Sequence, residues 1–250
     1  MVSVSAVVAA LLRLVLAASL VSTALAAEVP LRVAIIDNIP PLSYTDATGR
    51  HAGFAVDLAH ALCDAIRERC VTQVVKLDDA IDALAANQFD FASINLLATP
   101  ERRRKVLFSK PFYRSVSVWI ARPGVHPGAA GVRVTAVRGS AQARFVEAQG
   151  WTPVFVDTHF EMQPLLEQGK ADAAIAPMLT SVLLLQDARI QKLGLQSSIM
   201  NEDAITGDVV LSINPRRADL QSRIDAAIDQ IKADGRFDRI NTKYLPFRLQ

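Results

Sequence analysis

The chain has 250 residues, 51% hydrophobic and 21% charged, with a formal charge of +2. That near balance gives no electrostatic case for a nucleic acid or an anionic membrane surface as partner. The length allows one large domain or two modest ones.

The chain opens with MVSVSAVVAALLRLVLAASLVSTALA, an apolar run closing on Ala24-Leu25-Ala26. This is the grammar of a secretory signal peptide, residues 1–26, cleaved after Ala26. A retained membrane anchor is the competing reading, and the small-residue site favours cleavage. No cysteine lies near that site for lipid attachment. Removing 26 of 250 residues leaves 224, with a charge of +1 once Arg13 is gone. No second apolar run of eighteen residues follows, so the mature part is expected to be soluble and exported.

Strand-like and helix-like segments then alternate. Residues 31–36 form an apolar run ended by Pro40-Pro41. Phe54, Leu58, Leu62, Ala65 and Ile66 mark one face of a helix after Gly53. Cys63 and Cys70 are the only cysteines, and in an exported protein such a pair is most simply a disulfide. His60 lies on the same helical face as Cys63, which leaves a metal site as the alternative, with no fourth ligand in view. The four histidines do not cluster, so no metal or other cofactor is expected.

Residues 71–77 read as a strand, 80–87 as a short helix and 89–94 as a buried strand. Thr99-Pro100-Glu101 reads as a helix start: a hydroxyl cap, a proline at the first helical position and an acid in the first turn. Arg102 therefore stands just past the carboxyl end of a strand. Free backbone N–H groups and a guanidinium fork suit a carboxylate there. An exposed arginine in a basic run is the plainer alternative. Residues 112–121 read as one long strand.

The stretch from Arg122-Pro123-Gly124 to Gly131 breaks the composition, and the pattern restarts. Strands are expected at 132–137, 154–157, 172–176 and 209–213. Helices are expected at 141–149 and 160–167, through Leu185, and along Leu220, Ile224, Ile228 and Ile231 until Gly235. This is an α/β pattern with a largely parallel sheet in each of two lobes. Open sheets of this kind bind ligands at the carboxyl ends of their strands, here a cleft between the lobes. Ser140 follows a strand and a glycine at a helix N-cap, and repeats the Thr99–Arg102 arrangement in the second lobe.

Taken together, several segments resemble the periplasmic solute-binding proteins of family 3, the binding components of polar amino-acid transporters. They are LRVAIIDNIPPLSYTDATG (31–49), GFAVDLAHALCDAIRERC (53–70), FDFASINLLATPERR (89–103), FSKPFYRS (108–115), VRGSAQ (137–142), GKADAAIAP (169–177) and IKADGRFDRINTKYL (231–245). The lysine/arginine/ornithine- and histidine-binding proteins are the most alike. The resemblance implies a type II two-lobed fold, with lobe 1 formed by 27–113 and 208–250 and lobe 2 by 114–207. It implies that Arg102 grips a ligand carboxylate and that Ser140 assists from the other lobe. Asn95 and Leu97 fall in the strand-to-helix turn that touches ligand.

Departures from the family pattern define the expected ligand. Pro177 stands where the family places the aspartate for an α-amino group. Ile36 replaces another first-lobe aspartate, for which neighbouring Asp37 is the candidate substitute. Ile39 and Leu77 occupy the aromatic stacking positions, and Ile94 joins them in the wall. Such a pocket leaves an ammonium unpaired, so a carboxylate without an amino group fits better.

The expected function is therefore a periplasmic, monomeric, non-enzymatic binding protein. Its partners would be a small carboxylate and a membrane permease of an ABC transporter. One competing reading is an accessory or sensor protein that docks on another periplasmic protein. Another is a dehydratase on the same fold, which needs a placed acid or base. Glu161 and Glu202 fall in no motif for that role, and no GxSxG elbow surrounds Ser140.

Overall fold

The computed structural model describes residues 29–249, so the predicted signal peptide lies outside the described residues. β1 (Leu31–Ile35) is buried along most of its length, as a strand covered on both faces must be. A two-stranded ribbon follows, β2 (Tyr44–Thr45) against β3 (His51–Ala52). α1 (Phe54–Ala65) turns Phe54, Leu58 and Leu62 inward at helical spacing. β4 (Cys70–Val74) runs parallel to β1 on one side, and after α2 (Ala80–Ala85), β5 (Phe91–Leu97) runs parallel to it on the other. A single turn, α3 (Pro100–Arg103), leads to β6 (Leu107–Phe108) and β7 (Tyr113–Ser115).

The chain then enters a second sheet. β8 (Ser117–Ala121), β9 (Arg133–Val137), α4 (Ala141–Ala148) and β10 (Thr152–Val156) follow in order. A 3-10 turn (His159–Glu161) leads into α5 (Met162–Glu167), β11 (Ala173–Pro177), α6 (Met178–Gln186), α7 (Ala188–Gln191) and β12 (Gln196–Met200). β13 (Gly207–Ile213) returns to the first sheet, and α8 (Ala218–Ala233) and α9 (Arg236–Tyr244) close the lobe. The strand orders are β4-β1-β5-β13-β6, with β7 also on β13, and β10-β9-β11-β8-β12.

Each sheet has a block of three parallel strands at one side, β4-β1-β5 and β10-β9-β11, and antiparallel strands on the other, beginning with β13 beside β5 and β8 beside β11. The expectation of largely parallel sheets holds only for those blocks. The run at 112–121, expected as one strand, is two. β7 pairs with β13, while β8 pairs with β11 and β12, and the switch falls at Val116. The apolar, β-branched run gives no local mark of this, because only the change of backbone partner defines it. β12 is an edge strand with four exposed residues, QSSI, and so carries no apolar alternation to read.

Two devices lock the lobes. The Cys63–Cys70 disulfide ties the last turn of α1 to the start of β4, which replaces the metal alternative with a covalent staple. The second device occurs once in each sheet. Arg32 of β1 donates its backbone N–H (2.8 Å) and Nε (3.1 Å) to Asp90, just before β5. Arg133 of β9 does the same with Asp172, just before β11, at 2.9 Å for both donors. An arginine at the start of one strand thereby sets the height of the next parallel strand. Arg217 adds a second ion pair to Asp90 at 3.1 Å. Phe54 and Phe112 each pack edge-on against Phe237 of α9, which seals the first lobe.

Reducing the disulfide should lower stability by about 2–3 kcal/mol on the loop-entropy model. Urea unfolding with and without reductant checks this. Burial alone would raise the Asp90 carboxyl, but hydrogen bonds from Arg32 and the charges of Arg32 and Arg217 hold it below the usual carboxylate value. A carboxyl depressed in the folded state stabilises above its unfolded value, and that stability is lost as pH falls through the folded one. Asp90→Asn should therefore cost about 1–3 kcal/mol at neutral pH. The deficit should shrink as the pH is taken below about 4, read as the difference in urea midpoints.

Candidate ligand site

The carboxyl ends of β5 and β11, the start of α4 and the 3-10 turn at His159 converge on a partly open cavity of about 90 Å³. Ile36, Ile39, Leu77, Ile94, Leu97 and Pro177 all line it, so the positions singled out as departures do come together in space. Arg102 and Ser140 are on its wall, as is Asn95. The structure does not bring Asp37 into the cavity. Its carboxylate accepts from the Asn38 backbone N–H and the Thr45 hydroxyl instead, at 2.8 and 3.0 Å.

Arg102 is the dominant electrostatic feature. It is only 4% exposed, and among the described residues no carboxylate lies within ion-pair distance of it. Burial, then the neighbouring Arg144 charge, pulls its pKa down to about 9, which still leaves it cationic at neutral pH. Its fork donates to two carbonyls: Nη1 to Leu97 in the first lobe and Nη2 to Gly139 in the second, both at 3.0 Å. A guanidinium has five N–H donors, so the fork retains capacity for an anion. α3 is a single turn, so the expected helix-terminus field at Thr99 contributes little. The cap itself is present, with the Arg102 N–H 3.4 Å from the Thr99 hydroxyl.

Ser140 caps the eight-residue α4, its Oγ accepting from the Ala143 N–H at 3.0 Å. Asn95 sits at φ 52, in the left-handed region that asparagine tolerates, and its Oδ1 is buried without a partner. Several wall residues were not foreseen from sequence, among them Ser43, Tyr113, His159 and Thr180. None belongs to a recognisable motif, and the folding of distant loops over the strand ends is what gathers them. Burial pushes the Tyr113 phenol up and the His159 imidazole down to about 4, so both are neutral at physiological pH. Arg102 is thus the only charged residue lining the cavity among the described residues.

Contacts across the cleft bring the lobes together. Glu101 of α3 pairs with Arg144 of α4 at 3.2 Å, and Arg144 also donates to the Gly139 carbonyl at 3.1 Å. That carbonyl receives both arginines. Gly139 is needed on two counts: its φ is +72, and a Cβ there would lie 2.5 Å from the Asp78 Cα in the facing lobe.

Residues 31–247 match the bacterial extracellular solute-binding proteins, family 3. The chain belongs to this family. It is 27% identical to the L-arginine-binding protein of Pseudomonas aeruginosa, across 89% of this chain and 90% of that one. It is 25% identical to the lysine/arginine/ornithine-binding periplasmic protein of Escherichia coli, across 84% and 85%. An arginine-specific periplasmic binding protein from Salmonella typhimurium shares the fold, with a TM-score of 0.76 at 22% identity over 86% of this chain and 99% of that one. So does a periplasmic binding protein from Silicibacter pomeroyi in complex with lysine, at 0.75 and 21% over 88% and 99%. The two-lobed α/β architecture follows.

Gly139→Ala should block the close approach of the lobes. Small-angle scattering should show a larger radius of gyration than the wild type, with unfolding of the individual lobes changed by only about 1 kcal/mol. An unchanged radius would mean that Asp78 gives way to the methyl group.

Proposed function

We propose that this family member is a periplasmic, monomeric binding protein that captures a small monocarboxylate lacking an α-amino group and delivers it to the permease of an ABC-type transporter. The observation that carries this reading is a cavity with one buried cation and no carboxylate among its described lining residues. A carboxylate would complete the Arg102 fork and offset the burial that depresses its pKa. An amino acid brings an ammonium as well, and neither Pro177 nor Asp37 offers it a counter-charge. Leaving that ammonium unpaired costs several kcal/mol, more than a further neutral contact returns.

Relatives named for arginine, lysine or histidine support solute capture as the general role. A ligand such as arginine carries a second cation, which this apolar wall suits even less. The volume points the same way. A cavity of about 150 Å³ takes up benzene, so about 90 Å³ suits a ligand smaller than benzene, or one of about that size that extends into the open mouth. No lining residue supplies a carboxylate acid or base, which supports binding rather than dehydration chemistry.

Mass spectrometry of ligand released from purified protein should identify an amine-free carboxylate. In calorimetry an amine-free acid should bind at least about tenfold more tightly than the amino acid of the same skeleton, equivalent to 1.4 kcal/mol. The reverse order would return the protein to amino-acid uptake. Arg102→Ala should cost roughly 2–4 kcal/mol of binding, some thirtyfold or more, with the fold intact by circular dichroism. Unchanged affinity would place the ligand elsewhere.

A further inference from the structure

Six side chains have a buried polar atom with no hydrogen-bond partner among the described residues, and three of them line the one cavity: Ser43 Oγ, Asn95 Oδ1 and His159 Nδ1. Three other hydroxyls of the wall already donate to protein carbonyls. Ser93 donates to the Ala55 carbonyl at 2.7 Å, Thr180 to that of Pro177 at 3.0 Å and Ser115 to that of Val116 at 3.3 Å. Native structures leave few buried polar atoms unpaired, and three around one small cavity mark a place built to meet a polar group.

The chemistry of the three restricts that group. Ser43 is 4% exposed and its hydroxyl both donates and accepts. The Asn95 amide offers an acceptor. His159 keeps partial exposure as a residue, yet its Nδ1 is sealed, and burial keeps the ring neutral. A neutral imidazole presents one donor and one acceptor nitrogen. All three are uncharged and together can both accept and donate, which suits a hydroxyl; an ammonium could donate to them but would still lack the counter-charge that its burial requires.

We propose that His159, Asn95 and Ser43 form a hydroxyl-recognition subsite beside Arg102, making short hydroxycarboxylates the preferred ligands of this protein. The proposal rests on the amine-free carboxylate reading above and adds to it the second functional group. His159 comes from the second lobe's 3-10 turn, whereas Asn95 and Ser43 belong to the first lobe. A hydroxyl bound by both sides would reward closure of the cleft, so His159 acts as a specificity-determining residue.

The test uses three acids of one skeleton: propanoate, 2-hydroxypropanoate and 2-aminopropanoate, titrated calorimetrically into the mature chain. The wild type should bind 2-hydroxypropanoate at least about tenfold more tightly than propanoate. His159→Phe should cut that preference to about twofold or less. Ser43→Ala, which removes an atom with no partner in the fold, should cut it in part without lowering the melting temperature, and it decides the matter if His159→Phe fails to fold. Equal binding of propanoate and 2-hydroxypropanoate by the wild type would overturn the subsite while leaving the carboxylate reading standing. Full preference retained in the folded variants would do the same. Tightest binding of 2-aminopropanoate would overturn the carboxylate reading and the subsite together.

Discussion

A guanidinium shut away from water, with no acid within ion-pair distance among the described residues, sets the terms for this protein. Arg102 remains charged despite its burial, and two backbone carbonyls, from Leu97 and Gly139, are what its fork holds. One carbonyl belongs to each lobe. The group best able to hold an anion therefore also joins the lobes, and anything that competes for the fork acts on closure as well as on occupancy. Carbonyl dipoles satisfy hydrogen bonds without supplying a counter-charge, and the proposed preference for a negative ligand rests on that.

The apolar walls sharpen that preference. Ile36, Ile39, Leu77, Ile94 and Pro177 add apolar surface to the cavity that Arg102 lines, and such a surround strengthens the attraction of a cation for a carboxylate and raises the cost of an unpaired ammonium. The relatives that carry amino-acid names share this fold and its cleft. Within such a scaffold the choice of solute lives in a few wall positions rather than in the architecture. Here those positions are apolar or neutral.

The scaffold explains why so few residues suffice. The paired Arg32–Asp90 and Arg133–Asp172 clamps fix the relative heights of parallel strands at one end of each sheet. Their opposite, carboxyl ends then present Asn95 and Pro177 at defined levels, and the loops beyond them build the cavity. Gly139 lets the lobes touch without a side chain between them, and the Glu101–Arg144 pair spans the same seam. The strand clamps lie behind the site, and the contacts that close it are polar and apolar, with Leu179 of the second lobe buried among first-lobe residues and Leu77 and Leu97 of the first packed against the second.

Much of this was legible in the sequence because it depends on local patterns. Alternating apolar runs define the strands and helices, the Thr99-Pro100 and Ser140 caps mark helix starts, and the spacing of Cys63 and Cys70 suits a staple. The family resemblance placed Pro177, Ile39 and Leu77 at ligand positions, and their identity there implied an apolar wall. Other features depend on partners distant in the chain. The split of 112–121 between two sheets is invisible locally, because backbone partners define it and side chains do not. Asp37 is a plausible ligand by position, yet its carboxylate is satisfied by Asn38 and Thr45 outside the cavity. His159 and Ser43 carry no signal of their own, since an unpartnered atom becomes significant only when folding removes it from water. The sequence by itself determined the alternating α/β pattern of two lobes, because periodicity is a local property, and the family resemblance of the motif around Arg102 singled out that residue as the cation. Only the tertiary structure decided which neutral groups face that cation, because burial and partnership are properties of the packed whole.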